Sequence, residues 1–302
     1  MKKTIFALLL FYCMSMTLPT TTFAQTLSVQ EQTVNKPKNV VAKKIILSQK
    51  EAESIDTIQI DWKKGQTTVS KSPDEKIYIL EKAYVMPKDT QKVGISIKNN
   101  TLFITDYTIM PYFPQREDLS AEQYQKIQQE YENTTYDLEV LLPQKQYEEF
   151  YFNTTNAGCI LDNHSFKNIT TESIYGDFSF YNIKADTISA KTVKGTITLA
   201  QNTSAEQYHL YNVSGKIDAQ FSLLPTQLHA KSENGTIIIT LPENEGFFLS
   251  KKNINNYHLQ SSFSLINKND KKIYKNGTVA LDILCRNGTV ILKKLEKEIS
   301  SL

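Results

Sequence analysis

Val193-Lys194-Gly195-Thr196-Ile197-Thr198-Leu199, Val213-Ser214-Gly215-Lys216-Ile217-Asp218-Ala219 and Glu233-Asn234-Gly235-Thr236-Ile237-Ile238-Ile239-Thr240-Leu241-Pro242 are three copies of one pattern. Working outward, Gly158, Gly176, Gly195, Gly215 and Gly235 follow one another at intervals of 18, 19, 20 and 20 residues. Asn276-Gly277-Thr278-Val279 and Asn287-Gly288-Thr289-Val290 read as two further copies. The 42-residue gap before Gly277 leaves room for one more at Asn255 or Asn256, since asparagine tolerates left-handed backbone angles.

Parity sharpens the reading. Two residues after each glycine stand Ile160, Phe178, Ile197, Ile217, Ile237, Val279 and Val290, all apolar. The residues one after are mostly polar, with threonine recurring at Thr196, Thr236, Thr278 and Thr289. Seven residues before the first five glycines come Tyr151, Ile169, Ile188, Tyr208 and Leu228. Each period therefore predicts two short strands, each with one inward face, joined at a glycine turn. A unit that small cannot bury its apolar face alone, so neighbours must stack. The expected fold is all-β: a β-solenoid, or parallel β-helix-like stack, of ~19–20-residue two-strand repeats spaced ~4.8 Å apart. A meander sandwich would place turns every ~8–12 residues, and the steady parity at a two-strand period favours the solenoid.

Upstream, Ile55 to Trp62 alternates, Lys76 to Leu80 reads as strand, and Asn99-Asn100 between Ile95-Ser96-Ile97 and Leu102-Phe103-Ile104 signals a hairpin. Ser120-Ala121-Glu122-Gln123 has the form of a capping box and opens a helical stretch to Asn133. The expected organisation is a signal peptide over 1–24, a flexible linker over 25–45, and an N-terminal β segment over 46–147 with a helical insertion at about 120–133. The solenoid follows over 148–293 and a charged tail over 294–302.

The address comes from the first residues. Lys2 and Lys3 precede an apolar run from Ile5 to Met14, and Thr22-Phe23-Ala24 offers small residues at the cleavage positions, so cleavage is expected between Ala24 and Gln25. Phe11 and Tyr12 before Cys13 argue against a lipoprotein signal. No later run has the ~18 apolar residues of a spanning helix, which predicts an extracytoplasmic protein: periplasmic, surface-bound or secreted.

The pattern "IDTIQIDWKKGQTTV" at 55–69, the "VLLP" at 140–143 and the repeated "VKGTITL", "VSGKIDA" and "ENGTIIITLP" resemble the bacterial putative-adhesin family of β-strand-repeat proteins. They also resemble the related auto-transporter adhesin head domains. The resemblance spans about residues 45–293. It implies a right-handed parallel β-helix-like fold and an extracytoplasmic location, and it brings no catalytic motif with it.

Charge excludes some classes. The chain has 34 Lys+Arg against 32 Asp+Glu, so no net basic footprint points to nucleic acid. Arg116 and Arg286 are its arginines, too few for a cluster of bidentate clamps. His164, His209, His229 and His258 lack zinc-ligand spacing, and neither a nucleophile elbow nor a phosphate loop is present. Asp162, Asp177 and Asp218 on the repeat strands read as solvated face residues. Cys159 and Cys285, in the first and last repeats, fall about six rungs or ~29 Å apart, beyond the ~7 Å Cα separation of a disulfide, and are expected as separate thiols.

No catalytic, cofactor or metal site is expected. Among 16 tyrosines, Tyr175, Tyr181 and Tyr211 fall off the inward offsets and form the candidate stacking surface for a glycan or protein ligand. The expectation is an exported non-enzymatic interaction protein, an adhesin or envelope scaffold. The alternatives are a carbohydrate-binding or polysaccharide-cleaving β-helix and a periplasmic regulatory partner.

Overall fold

The computed structural model describes residues 40–83, 93–106, 120, 122–123, 136–200, 202–250 and 258–296. The signal peptide with Ala24 and Gln25, most of the 25–45 linker, the body of the 120–133 helix, Asn255, Asn256 and the end of the tail lie outside the described residues. The described end of that linker, from Val40 to Ile45, is not flexible chain but strand, paired antiparallel with Ile79 to Ala83. The start of that helix is described. Gln123 N donates to Ser120 Oγ at 3.2 Å, and Ser120 N donates to Gln123 Oε1 at 3.0 Å, the reciprocal pair of a capping box.

Nineteen strands and one short helix make up the described chain. In the repeat region β8 (Gln146–Asn153), β9 (Gly158–Asp162), β10 (Ser165–Ser173) and β11 (Phe178–Tyr181) are followed by four long strands. These are β12 (Lys184–Leu199), β13 (Ser204–Gln220), β14 (Gln227–Leu241) and β19 (Val279–Lys294). The solenoid is confirmed by register: Phe150, Ile169, Ile188, Tyr208, Leu228 and Leu281 are Cα partners from strand to parallel strand. So are Cys159, Phe178, Ile197, Ile217, Ile237 and Val290.

Each long strand serves two sheets. Along β12 the buried side chains are Ile188, Ala190 and Thr192, then Ile197 and Leu199. The step of five in place of two reverses which side of the strand faces inward, and the bend at Gly195 restores both halves to the same interior. The glycine is required by space. A Cβ on Gly195 would lie 2.4 Å from the Gly176 carbonyl oxygen, on Gly235 2.3 Å from that of Gly215, and on Gly288 1.9 Å from that of Gly235. Each rung's bend thus rests on the backbone of the rung below. Of the glycines stacked on one another here, Gly215 alone takes a positive φ, +140°, so the left-handed turn expected from the sequence is not the general reason.

Two copies of the pattern were misplaced by that reasoning. Ala157, not Gly158, occupies the bend of the first repeat, because Cys159 pairs with Phe178 and the true interval is 19. Cys159 and Phe150 are consequently buried, whereas Ile160 and Tyr151 are only half-buried. Gly277 belongs to no rung. It lies in the turn between β18 (Lys271–Lys275) and β19 at φ +60°, and Gly288 carries the register from Gly235.

The stack continues upstream. β2 (Thr57–Asp61) and β3 (Gln66–Lys71) lie parallel on β8 and β9, with Gly65 at the bend. On their other edges lie β6 (Thr101–Thr105) and β7 (Tyr136–Leu142), also parallel. Where the other rungs have their bend, β6 and β7 are separated in sequence by 107–135, most of which lies outside the described residues. Antiparallel strands close this end: β4 (Ile77–Ala83) on β7, β1 (Val40–Leu47) on β4, and β5 (Gly94–Lys98) on β6. Asn99 and Asn100, at φ 50° and 60°, turn the β5–β6 hairpin as expected. Between β1 and β2, α1 (Gln49–Ser54) was not anticipated, although Ser48 and Glu51 form a second capping box.

At the opposite end β15 (Gly246–Ser250) pairs with the start of β19, and β16 (His258–Ser261) pairs with Thr289 to Leu292 on the edge away from β14. β18 runs antiparallel to β15, and β17 (Ile266–Lys268) to β18. Phe247, Phe263 and Tyr274 pack with ring centroids 4.8–5.4 Å apart and plug this end.

Beside the bends runs an interior column of small polar side chains in register: Thr154, Ser173, Thr192, Asn212, Ser232 and Cys285. Several hold the bend. Gly176 N donates to Ser173 Oγ at 2.5 Å, Ala157 N to Thr154 Oγ1 at 2.8 Å, and Thr192 Oγ1 to the Gly176 carbonyl at 3.2 Å. The Cys285 thiol reaches the Gly235 carbonyl at 3.5 Å. Cys159 and Cys285 are free and buried, and burial raises both thiols above their ordinary pKa.

Candidate functional site

Interior positions are committed to the core, so recognition falls to outward positions. On the outer surface of the sheet before the bend, Ser189, His209, His229 and Asp282 form one column on β12, β13, β14 and β19. Two residues on, Lys191, Tyr211, Lys231 and Leu284 form the next. Strand spacing alone stacks like on like. The His209 and His229 rings lie nearly parallel, 3° apart in plane, with centroids separated by 5.1 Å. His229 Nδ1 is 3.0 Å from Asp282 Oδ2.

In the second column Lys231 Nζ sits 5.2 Å from the Tyr211 ring centroid, a cation–π contact, and 2.8 Å from Glu233 Oε1. Arg286 Nε approaches Glu233 Oε2 at 3.1 Å. Burial, with the Glu233 charge next in weight, holds the Tyr211 phenol above its ordinary pKa. A shallow cleft of about 430 Å³ runs over both columns.

The three tyrosines expected as one surface are not brought together. Tyr211 lines this cleft. Tyr175 is 54% exposed at the bend, under Lys194 Nζ at 5.7 Å. Tyr181 ends β11 and is exposed at an outward position of the other sheet, in register with Asp162. An aromatic patch needs one sheet surface, and Tyr211 precedes its glycine whereas Tyr181 follows its own, which puts them on different sheets.

Sequence reasoning treated the histidines singly. The signal that pairs two of them was present, since His209 and His229 are 20 residues apart, one full period. Asp282 joins them across 53 residues, an interval set by the excursion through β15 to β18, and nothing local announces it.

The remaining acids are held in structural roles. Asp162 Oδ1 accepts from Asn182 Nδ2 at 2.9 Å, Asp177 Oδ1 accepts from Thr196 N at 2.6 Å, and Asp218 pairs with Lys216 at 2.5 Å. A second cleft, about 470 Å³, includes Lys145, Lys184 and Asp186. Lys145 Nζ donates to the Ala52 and Glu53 carbonyls at 3.0 and 3.2 Å, so it caps the C-terminal end of α1. His164 is buried against Tyr147 and Phe166 at ring-centroid distances of 6.4 and 6.0 Å. Burial lowers its pKa from the ordinary value, while the Ser70 backbone and the Asp162 charge pull the other way. Among the described residues no group of three or more His, Cys, Asp and Glu could hold a metal ion.

No curated protein matches the sequence. Similar solved structures include a putative cell adhesion protein from Clostridium sporogenes (12% identity, TM-score 0.34, covering 85% of this chain and 100% of that one), a putative adhesin from Bacteroides fragilis (10%, 0.38, 86% and 99%) and a putative adhesin from Parabacteroides merdae (13%, 0.42, 84% and 95%). Residues 55–246, running from the first rung's approach to the start of β15, match the model of the Toastrack DUF4097 family. The chain belongs to that family.

Proposed function

We propose that this protein is an exported, non-enzymatic β-solenoid whose outward face serves as an interaction surface, as an adhesin or a cell-envelope scaffold. One observation carries the reading: the side chains left free by the core and the bends collect in register on one sheet surface and form the His209–His229–Tyr211 cleft. A stack of parallel strands supplies a stiff platform, and outward columns can vary without disturbing the interior. Export is supported by the Lys2-Lys3 start, the Ile5 to Met14 run and the Thr22-Phe23-Ala24 site. In this reading residues 1–24 are removed between Ala24 and Gln25, and the part of the 25–45 linker that precedes β1 tethers the stack. Among the described residues no helix is long and apolar enough to cross a membrane.

Protease shaving of intact cells tests the proposal, with immunodetection of the protein and a periplasmic control. Loss of the protein with the control intact is expected for a surface adhesin. Protection until the envelope is opened defeats adhesion to another cell and leaves the scaffold role.

A further inference from the structure

Asparagine followed by glycine is the dipeptide at which a chain most readily alters its own covalent structure. A residue without Cβ leaves its backbone nitrogen unshielded and free to turn towards the preceding side chain. The chain carries this pair three times, at Asn234-Gly235, Asn276-Gly277 and Asn287-Gly288. The dipeptide alone does not rank them. The fold does.

Asn234 and Asn287 lie inside the stack. They are register partners on β14 and β19, as are Gly235 and Gly288, and Gly235 pairs on its other side with Gly215. Asn287 Nδ2 donates to Asn234 Oδ1 at 2.9 Å, so the two carboxamides tie each other down. Neither can fold back onto the following nitrogen until the ladder opens locally, which costs free energy before any chemistry begins.

Asn276-Gly277 stands outside every ladder. β18 ends at Lys275 and β19 begins at Val279, and the turn between them has positive φ at Lys275, 46°, and at Gly277, 60°. Asn276 is exposed, and among the described residues no hydrogen bond holds its carboxamide. The Gly277 N–H meets the Tyr274 carbonyl at 3.1 Å, a bond within the turn itself.

We propose that Asn276 is a site of spontaneous deamidation in the folded protein, and that the change loosens the C-terminal end of the stack. The Gly277 nitrogen gives up its proton and attacks Asn276 Cγ, and the side-chain nitrogen leaves as ammonia. Water then opens the cyclic imide on either side. One product is aspartate; the other is isoaspartate, with the chain rerouted through the side chain. Either product sets a carboxylate next to Lys275, whose Nζ is 2.6 Å from Glu243 Oε1 and donates to the Asn244 carbonyl at 2.8 Å. The isoaspartyl route also adds one backbone atom between two anchors of the turn. These are Asn276 N, donating to the Glu245 carbonyl at 3.3 Å, and Thr278 Oγ1, donating to the Gly246 carbonyl at 3.0 Å. Both anchors hold the entry to β15, and the longer chain cannot keep them at the old spacing.

Ageing the purified protein in mildly alkaline buffer tests the proposal, with an acid quench, peptide mass mapping and isoaspartate-specific methyl labelling. In the folded chain Asn276 is expected to convert at least about tenfold faster than Asn234 or Asn287, because those two react only from an opened ladder. In urea the three are expected to convert at matched rates. Conversion of Asn234 or Asn287 in step with Asn276 in the folded chain would overturn the assignment. So would a lead of Asn276 that persists in urea. The second half of the proposal is read by hydrogen exchange at Gly246 to Ser250, which should quicken as the protein ages and stay constant in Asn276→Gln. Unchanged exchange in the aged protein, or equal quickening in the variant, would overturn the loosening. None of these readings depends on where the protein resides or what it binds.

Discussion

Between β10 and β14 each rung lies on the one before it in sequence, whereas at both ends of the stack the order is broken. In the middle, partners are 19 or 20 residues apart. At one end β2 meets β8 across 92 residues, and at the other β14 meets β19 across 53. The middle is local and propagates; the ends are long-range and close. The difference follows from the edge problem. A parallel stack has two open edges ready to pair with other chains, and both are covered here by strands that need extra chain to reach their places. Those strands are antiparallel at the N-terminal end; at the other they are the parallel β15 and β16, with antiparallel β17 and β18 beyond β15.

Breaking the middle has the largest expected effect. Gly235→Val sets a side chain 2.3 Å from the Gly215 carbonyl, where backbone must yield. A loss of at least about 4 kcal/mol is expected, read as a collapse of the denaturation midpoint. Ile217→Ala leaves a void in a fully buried position between Ile197 and Ile237, and about 3 kcal/mol should be lost in urea titration. The matching change at an end is milder. In Gly277→Ala the new methyl meets the Ile273 Cγ2 at 2.6 Å, a side chain that can turn, so about 1–2 kcal/mol is expected, mainly from the φ of +60°. If Gly277→Ala proved as damaging as Gly235→Val, the distinction between middle and end would be lost.

A substitution that improves the middle sharpens the contrast. Asn212 is buried in the polar column, and its Oδ1 and Nδ2 have no hydrogen-bond partner among the described residues. Threonine one rung earlier, Thr192, donates to the Gly176 carbonyl. Asn212→Thr should reach the Gly195 carbonyl in the same way and raise stability by about 1 kcal/mol, measured as a higher thermal midpoint.

Acid is the gentlest probe. His164 has a folded pKa below its ordinary 6.5, so the unfolded chain binds the proton more readily. Stability is therefore expected to fall once the pH drops below about 6.5, and to level off only below the folded pKa. The C-terminal end has a carboxylate that responds in the same direction at lower pH. Glu243 is held at about 2 by hydrogen bonds from Lys275, then Tyr274, then Lys294. Its contribution is present above its ordinary 4.5 and is lost only as the pH falls towards about 2. Trp62, buried at the N-terminal end with Nε1 donating to the Tyr136 carbonyl at 3.0 Å, gives a fluorescence signal local to that end. Hydrogen exchange at Gly246 to Ser250 reports the other. Replacing His164 by Gln should remove the first step and leave the second.

These contrasts also explain what the sequence made legible. The bends from Gly176 to Gly235 were readable because register and spacing coincide there. Ala157 could not be recognised as a bend, since alanine advertises nothing and the neighbouring Gly158 advertises too much. Gly277 carried the right tetrapeptide in the wrong setting, a turn between strands. The rung formed by β2 and β3 was seen as strands without a stack, because its partners are too distant for any period to show. Of the cleft, Tyr211 was legible as an outward aromatic. Its union with His209, His229 and Asp282 depends on register across β14 and β19, which is tertiary information.

The interleaving at the ends limits how such a chain can change length over evolutionary time. Because β19 is inserted between β14 and β16, and β2 between β6 and β8, neither terminus of the coil is an open growing point. A duplicated unit appended after Lys294 would find no free ledge to settle on. Duplication or deletion of a whole period can be absorbed only among β10 to β14, where one rung substitutes for the next. The cleft spans β12 to β19, so gain or loss of a unit there would respace its columns directly. A change in length and the geometry of the cleft are thereby tied to the same few rungs.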